Sequence, residues 1–154
     1  MKQRQYSTRI RWQLTVLCLF ALGFFGCESD LRIKPDGNNP PSFSLSGSGR
    51  LISFAVMEVT GEKNGGTRSD ANTVLWEIEP TNADNKIWGL PSITYGKVPP
   101  GFTQKFPAAG AAPSPLVEGK TYEAGGPAYG ANGGLARFKI QNNKSILIPA
   151  EGSK

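Results

Sequence analysis

The sequence contains no histidine and only two cysteines, Cys18 and Cys27. Without histidine there is no Ser–His or Cys–His pair to activate a nucleophile, and the usual His/Cys ligand set of a zinc site is excluded. We therefore expect no catalytic residue, no metal site and no cofactor, and we expect that the protein is not an enzyme.

Acidic residues are absent from the start of the chain as far as Glu28, whereas four of the 17 basic residues lie within the first 11 positions. The chain from Cys27 onward therefore holds 13 basic and 12 acidic residues, a net charge of +1. It contains no cluster of lysine and arginine, which is the electrostatic footprint of a nucleic-acid-binding protein. We expect no nucleic-acid partner.

Long hydrophobic runs are also scarce, and the single one covers residues 14–25. Its 12 residues would span about 18 Å as a helix, whereas a membrane span needs roughly 20 residues. A basic segment, a short apolar run and a small residue in succession are typical of a secretory signal. The sequence thus predicts an export signal over residues 1–26.

The end of this run, Phe24-Phe25-Gly26-Cys27, resembles the lipobox of bacterial lipoproteins that signal peptidase II processes. The family pattern is leucine, a small or aliphatic residue, glycine or alanine, then cysteine, so Gly26 and Cys27 match while both phenylalanines are bulkier. The resemblance implies cleavage between Gly26 and Cys27 and a covalent lipid on Cys27 as the only attached group. The alternative is an ordinary signal with a cysteine near its end by chance.

Lipidation implies that the membrane is a partner and that the protein lies in the cell envelope. Two or three acyl chains anchor a protein stably, whereas one chain binds only marginally. Glu28 stands where enterobacterial lipoproteins retained in the inner membrane carry aspartate. The outer membrane is therefore the expected location if the host is Gram-negative.

Composition divides the chain after the signal into three parts. Residues 27–41 are polar, with glycine and two prolines at the end, and predict a flexible tether. Residues 42–149 have the length of one domain, and residues 150–154 form a C-terminal tail.

Short segments of alternating or continuous apolar residues, separated by Gly, Pro and Asn, run through residues 42–149 and predict seven or eight strands. No amphipathic helix is visible, so the sequence favours an all-β antiparallel sandwich. The predicted strands cover residues 42–46, 51–59, 74–80, 93–98, 102–106, 116–124, 136–140 and 145–148.

Two features of residues 42–149 resemble immunoglobulin and fibronectin type III sandwiches. Trp76 lies centrally on the third predicted strand, where immunoglobulin-like domains bury a tryptophan. Leu116-x-x-Gly119-x-x-Tyr122 resembles a tyrosine corner, whose hydroxyl bonds to the backbone a few residues upstream. The missing cysteine pair favours the disulfide-free, fibronectin-like kind.

Two motifs were considered for catalytic or phosphate chemistry. Glu77 and Glu79 lie two residues apart on one strand, about 6.6 Å apart on the same face, which is within the range of paired glycosidase carboxylates. Because they alternate with Trp76, we expect them to face solvent without a catalytic role. The glycine-rich residues 125–134 lack the Gly-Lys-Ser/Thr ending of a phosphate loop and predict a mobile loop.

Four aromatic residues lie among prolines and glycines in residues 86–107, namely Trp88, Tyr95, Phe102 and Phe106. Exposed aromatic rings serve as stacking platforms for sugars and as hot spots for protein partners. The alternative is that they fill one end of the core. Trp88, which precedes Pro91 in a loop, is the one most expected to be exposed.

The sequence therefore predicts a lipid-anchored, non-enzymatic envelope protein that binds or scaffolds an envelope or surface protein. The alternative is a carbohydrate-binding module that uses the aromatics around Trp88. A planar row of exposed rings would favour sugar, and a mixed apolar patch would favour protein.

Overall fold

A computed structural model describes residues 30–60, 72–82 and 85–149. The predicted signal, Gly26, Cys27 and the C-terminal tail lie outside this part of the chain. Within it, the backbone forms eleven strands and one short 3₁₀ helix, and every strand pairing is antiparallel. The all-β prediction is confirmed. None of the described residues belongs to a helix long and apolar enough to cross a membrane.

Most of the strands are short, and nine of the eleven overlap a predicted segment, the first and the ninth being the exceptions. The 3₁₀ helix covers Ile87–Gly89. The strands are β1 Arg32–Pro35, β2 Ser42–Ser46, β3 Arg50–Leu51, β4 Phe54–Glu58, β5 Thr73–Pro80, β6 Ile93–Thr94, β7 Phe102–Phe106, β8 Thr121–Gly126, β9 Ala128–Tyr129, β10 Gly134–Gln141 and β11 Lys144–Leu147.

The strands form a three-stranded sheet in the order β1-β2-β6 and a six-stranded sheet in the order β11-β10-β8-β4-β5-β7. Phe43 of β2 joins them, because its ring centroid lies 5.4 Å from that of Phe54 on β4 and 5.5 Å from that of Phe138 on β10. All three rings are fully buried. The two sheets therefore enclose one core, as in a β-sandwich. A third sheet consists of β3 and β9.

Over residues 30–41, the part of the predicted flexible tether 27–41 that the structure describes, the prediction is corrected. Strand β1 pairs along its whole length with β2, from Arg32 opposite Ser46 to Pro35 opposite Phe43. Leu31, just before it, is buried in the core. Arg32 and Lys34 are exposed and alternate with more buried neighbours. This is the pattern of an edge strand, in which charged side chains face solvent. The polar composition of the segment therefore did not indicate a strand.

The structure also corrects the prediction of a mobile loop over residues 125–134. Gly125 and Gly126 end β8, Gly134 begins β10, and Gly126 pairs with Gly134. A Cβ atom on Gly134 would overlap the carbonyl oxygen of Leu31, and one on Gly126 would overlap that of Ser53. These glycines let neighbouring backbones approach more closely than any side chain permits.

Both residues that carried the sandwich resemblance lie in the core. Trp76 is fully buried on β5, the fifth strand of the described chain. The Tyr122 hydroxyl, at the start of β8, accepts a hydrogen bond of 2.7 Å from the backbone N–H of Val117. Leu116 is buried, and Gly119 adopts φ +79° while its N–H donates to the carbonyl of Ile140 at 2.8 Å.

Candidate functional site

The four aromatic residues proposed for binding fall in two groups. Trp88 is 73% exposed and Phe106 is 47% exposed, whereas Tyr95 and Phe102 are only 6% and 8% exposed. The prediction that Tyr95 and Phe102 lie on a binding surface is therefore wrong. Phe106 ends β7 at the edge of the six-stranded sheet, while Trp88 belongs to the 3₁₀ helix beside β3, so they occupy different elements.

Tyr95 is a core residue because of its contacts. Its ring packs edge-on against Trp76, with 5.7 Å between centroids, and its hydroxyl donates to the carbonyl of Ser114 at 2.6 Å. Burial, with a smaller effect of Tyr122, raises the pKa of Tyr95 to about 12. Hydrogen bonding and neutrality at ordinary pH make the burial of this phenol tolerable.

Trp88 lies beside a small sheet that sequence patterns did not predict. On one side of β3, the Leu51 N–H donates to the Asn85 carbonyl at 3.2 Å and the Ile87 N–H to the Gly49 carbonyl at 3.1 Å. These bonds bracket Arg50, which is bridged to Lys86.

On its other side, β3 pairs with β9, so that Arg50 lies opposite Tyr129 and Leu51 opposite Ala128. The Ile52 N–H then donates to the Pro127 carbonyl at 3.1 Å. Three chain segments thus run side by side, with β3 in the middle.

Each of these three segments alternates between the core and solvent. Leu51 and Ile87 are buried in the core, and Ala128 packs against it. Residues directly opposite in a ladder project to the same face, so the exposed Arg50, Lys86 and Tyr129 share one outer surface. Ile52 and Pro127 alternate with inward residues and are exposed beside them. Trp88, in the 3₁₀ helix, joins this surface through its ring contact with Lys86. We call this outer surface the β3 face; it consists of Arg50, Ile52, Lys86, Trp88, Pro127 and Tyr129.

The β3 face is aromatic and cationic. Tyr129 is 74% exposed, and the Lys86 ammonium lies 5.7 Å from the centroid of the Trp88 ring, which is a cation–π distance. The three segments contain no acidic residue. Asp84, the nearest acidic residue along the chain, lies outside the described residues.

Three other cations of the described chain form ion pairs with carboxylates. Lys105 pairs with Glu79 at 2.9 Å, and two further ion pairs join Lys120 to Glu58 and Arg137 to Glu123. Arg50 and Lys86 form no ion pair with any described residue. The β3 face therefore carries two positive charges that have no counterion among the described residues.

Glu77 and Glu79, the carboxylates weighed for catalysis, lie on β5. Glu79 is engaged by Lys105 on the neighbouring strand. In residues 30–60, 72–82 and 85–149, no three His, Cys, Asp or Glu side chains are close enough to hold a metal ion.

Sequence reasoning found Trp88 but missed its neighbours Arg50 and Tyr129. Strand β3 has two residues and Tyr129 lies in the glycine-rich stretch, so neither gave a strand pattern of its own. The only local signal was a repeated alternation of outward, inward and outward residues in the three segments. Comparisons of the chain with protein-family models, curated proteins and solved structures give no match.

Proposed function

We propose that this protein is a lipid-anchored, non-enzymatic domain of the cell envelope that binds its partner through the β3 face. The observation that carries the proposal is the exposure of Trp88 (73%) and Tyr129 (74%), whose chain neighbours Ile87 and Ala128 lie in or pack against the core. Tryptophan, tyrosine and arginine dominate the energetics of binding surfaces. A scaffold whose inward residues are locked in the core holds such rings in place at low entropic cost.

The anchor rests on Gly26 and Cys27 at the end of the apolar run. Cys27 is four residues before Leu31, which is buried in the core. Four residues of extended chain span at most about 14 Å. A lipid on Cys27 would therefore hold the domain close to the membrane surface, in place of the long tether that the sequence predicted.

The immunoglobulin or fibronectin-like type of sandwich is part of this proposal. The three-stranded sheet β1-β2-β6 faces the series β10-β8-β4-β5 of the larger sheet. In addition, Tyr122 makes its backbone hydrogen bond at the start of β8, as a tyrosine corner does. The order of the strands and the tyrosine corner both support this type of sandwich. Strands β11 and β7 are additional strands at the two edges of the larger sheet.

Two classes of partner fit the β3 face. The small size of the β3 face favours a carbohydrate, because its six outward residues are far fewer than the roughly 20–30 per side of a standard protein interface. Two exposed rings also suit stacking on sugar. An envelope or surface protein is the second candidate, favoured by Ile52 and Pro127, which add aliphatic area beside the rings.

The anchor is tested by intact-mass analysis of protein extracted from membranes. We expect a mature N-terminus at Cys27 that carries a diacylglyceryl group. The Cys27→Ser variant should be released from the membrane or should accumulate as the uncleaved precursor. A lipid-free N-terminus at another position would contradict the anchor and leave the binding face untouched.

The binding face is tested by crosslinked capture from envelopes with the full chain. Truncating a hot-spot residue costs about 2 kcal/mol, so Trp88→Ala should reduce capture about 30-fold without lowering the melting temperature. Phe106→Ala, which also removes an exposed ring, is the matched control and should retain capture. Equal losses in both variants, or a loss in neither, would contradict the proposal.

A further inference from the structure

Two cations face each other across the β3 ladder. The hydrogen bonds between Leu51 and Asn85 and between Ile87 and Gly49 enclose the Arg50–Lys86 bridge. Such a bracketed position is a non-hydrogen-bonded pair, in which the Cα atoms lie about 4.5 Å apart and the side chains are close. Like charges directly opposite each other destabilise a sheet. A bound anion would remove this repulsion.

An aromatic ring lies beside each of the two cations. Tyr129 lies directly opposite Arg50 on one side, and Lys86 with Trp88 lies on the other. The outer two segments are separated by two strand spacings, about 10 Å. A ligand that crosses β3 can therefore contact the Tyr129 ring, the two cations and, beside Lys86, the Trp88 ring.

We propose that the β3 face binds an anionic polysaccharide. Sugar rings stack on Trp88 and Tyr129, while a carboxylate on the same chain accepts hydrogen bonds from Arg50 and Lys86. The planar Arg50 guanidinium can bind a carboxylate with two parallel N–H groups, and the Lys86 ammonium adds a point charge. This inference rests on the proposed function and specifies the charge and the chemical class of the ligand.

An acidic protein segment has the same charge but not the same shape. It offers carboxylates to Arg50 and Lys86, yet it has no saturated rings for the two aromatic residues. The small area of the face also favours a thin chain over a folded partner, because stable protein interfaces bury about 800 Å² per partner. An acidic protein ligand is therefore an outcome that the experiment must separate from polysaccharide.

The experiment measures binding of the detergent-solubilised full chain to three immobilised polymers. Polygalacturonate carries rings and carboxylates, dextran carries neutral rings, and poly-glutamate carries carboxylates without rings. We expect polygalacturonate to bind at least 10-fold more tightly than either of the other two. Added salt should weaken this binding, since exposed charges are screened.

Variants assign the binding to the β3 face. Arg50→Ala and Lys86→Ala should each weaken binding to polygalacturonate about 10-fold, and Trp88→Ala should weaken it about 30-fold. Lys139→Ala on β10 removes the same charge from a different sheet and should have little effect. Arg50→Lys keeps the charge but loses the two-pronged geometry, so its binding should be intermediate. Unchanged melting temperatures exclude unfolding as the cause.

Each contrary result has a distinct meaning. Binding to poly-glutamate as tight as to polygalacturonate would show that the β3 face recognises charge alone, so that an acidic protein segment would serve as its ligand. Binding to dextran as tight as to polygalacturonate would show that the ligand needs no negative charge. Either result, or no binding to polygalacturonate, overturns the inference. If Trp88→Ala still reduces capture from envelopes about 30-fold, the proposed binding through the β3 face stands. If capture is unchanged, that proposed function fails as well.

Discussion

The indole N–H of Trp76 donates a hydrogen bond of 3.1 Å to the side-chain oxygen of Gln104. The amide nitrogen of Gln104 lies within donor distance of three loop carbonyls, 3.0 Å from Pro107, 3.2 Å from Ala108 and 2.8 Å from Ala111. One side chain on β7 therefore satisfies a buried donor and positions the loop that follows the strand.

Removing Gln104 should destabilise the protein through both of its functions. Gln104→Leu leaves a buried indole N–H without a partner, and the expected loss is about 1–3 kcal/mol in the free energy of unfolding measured with urea. In a Trp76→Phe background the indole is absent, so the same change should cost less. An equal cost in the two backgrounds would show that Gln104 acts through the loop alone.

The Tyr122 hydroxyl accepts the N–H of Val117 at 2.7 Å from within the core. Tyr122→Phe should therefore lower the free energy of unfolding by about 1–3 kcal/mol. Tyr129→Phe removes the same atom from a ring that is 74% exposed and should change stability by less than about 0.5 kcal/mol. Equal effects of the two variants would contradict a role for the Tyr122 hydroxyl.

The buried phenol of Tyr95 predicts a loss of stability at alkaline pH. Its pKa is about 12 in the folded chain, against about 10 when unfolded. Between these values only the unfolded form releases the proton, so the contribution of Tyr95 is complete below pH 10 and declines as the pH approaches 12.

Denaturation of the wild-type chain and of Tyr95→Phe from pH 9 to 12 measures this effect. The variant keeps every other phenol and every lysine, so the difference between the two proteins reports the Tyr95 hydroxyl. The wild-type protein should lose about 1–2 kcal/mol relative to the variant over this range. A difference that does not change with pH would contradict the raised pKa.

Gly134 permits the close approach of β1 to β10, and its replacement should test whether residues 31–35 belong to the domain. Gly134→Ala places a methyl group against the Leu31 carbonyl and should cost about 1–3 kcal/mol, as overpacking does. Gly89→Ala is the control, because a Cβ there meets nothing within 4 Å. If Gly134→Ala were as harmless as the control, β1 would be peripheral to the fold.

The antiparallel β structure of the domain follows from local sequence patterns. Apolar and polar residues alternate around Phe43, Trp76 and Phe138. This alternation indicates a strand directly, because successive side chains of a strand point to opposite faces. The turn at Asn142 and Asn143 was equally local, since both residues adopt the positive φ values that asparagine tolerates (54° and 57°).

The division of residues between core and surface, in contrast, depends on the tertiary structure. Tyr95 and Phe102 lie in segments as rich in proline and glycine as that of Trp88, and local pattern does not distinguish them. Tyr95 is buried because Trp76 and the Ser114 carbonyl, both far away in sequence, provide a ring contact and an acceptor. Leu31 is likewise buried because Gly134 on β10 leaves room for the Leu31 backbone, while Gly125 on β8 leaves room for Ile33 of β1.

The β3 face depends wholly on such long-range contacts. Arg50, Lys86 and Tyr129 are separated by more than 35 residues from one to the next, and each lies in a segment too short to show a strand period. Hydrogen bonds across β3 bring them into one row. The composition of each segment was visible in the sequence, but the juxtaposition of two cations and two aromatic rings exists only once these distant backbones pair.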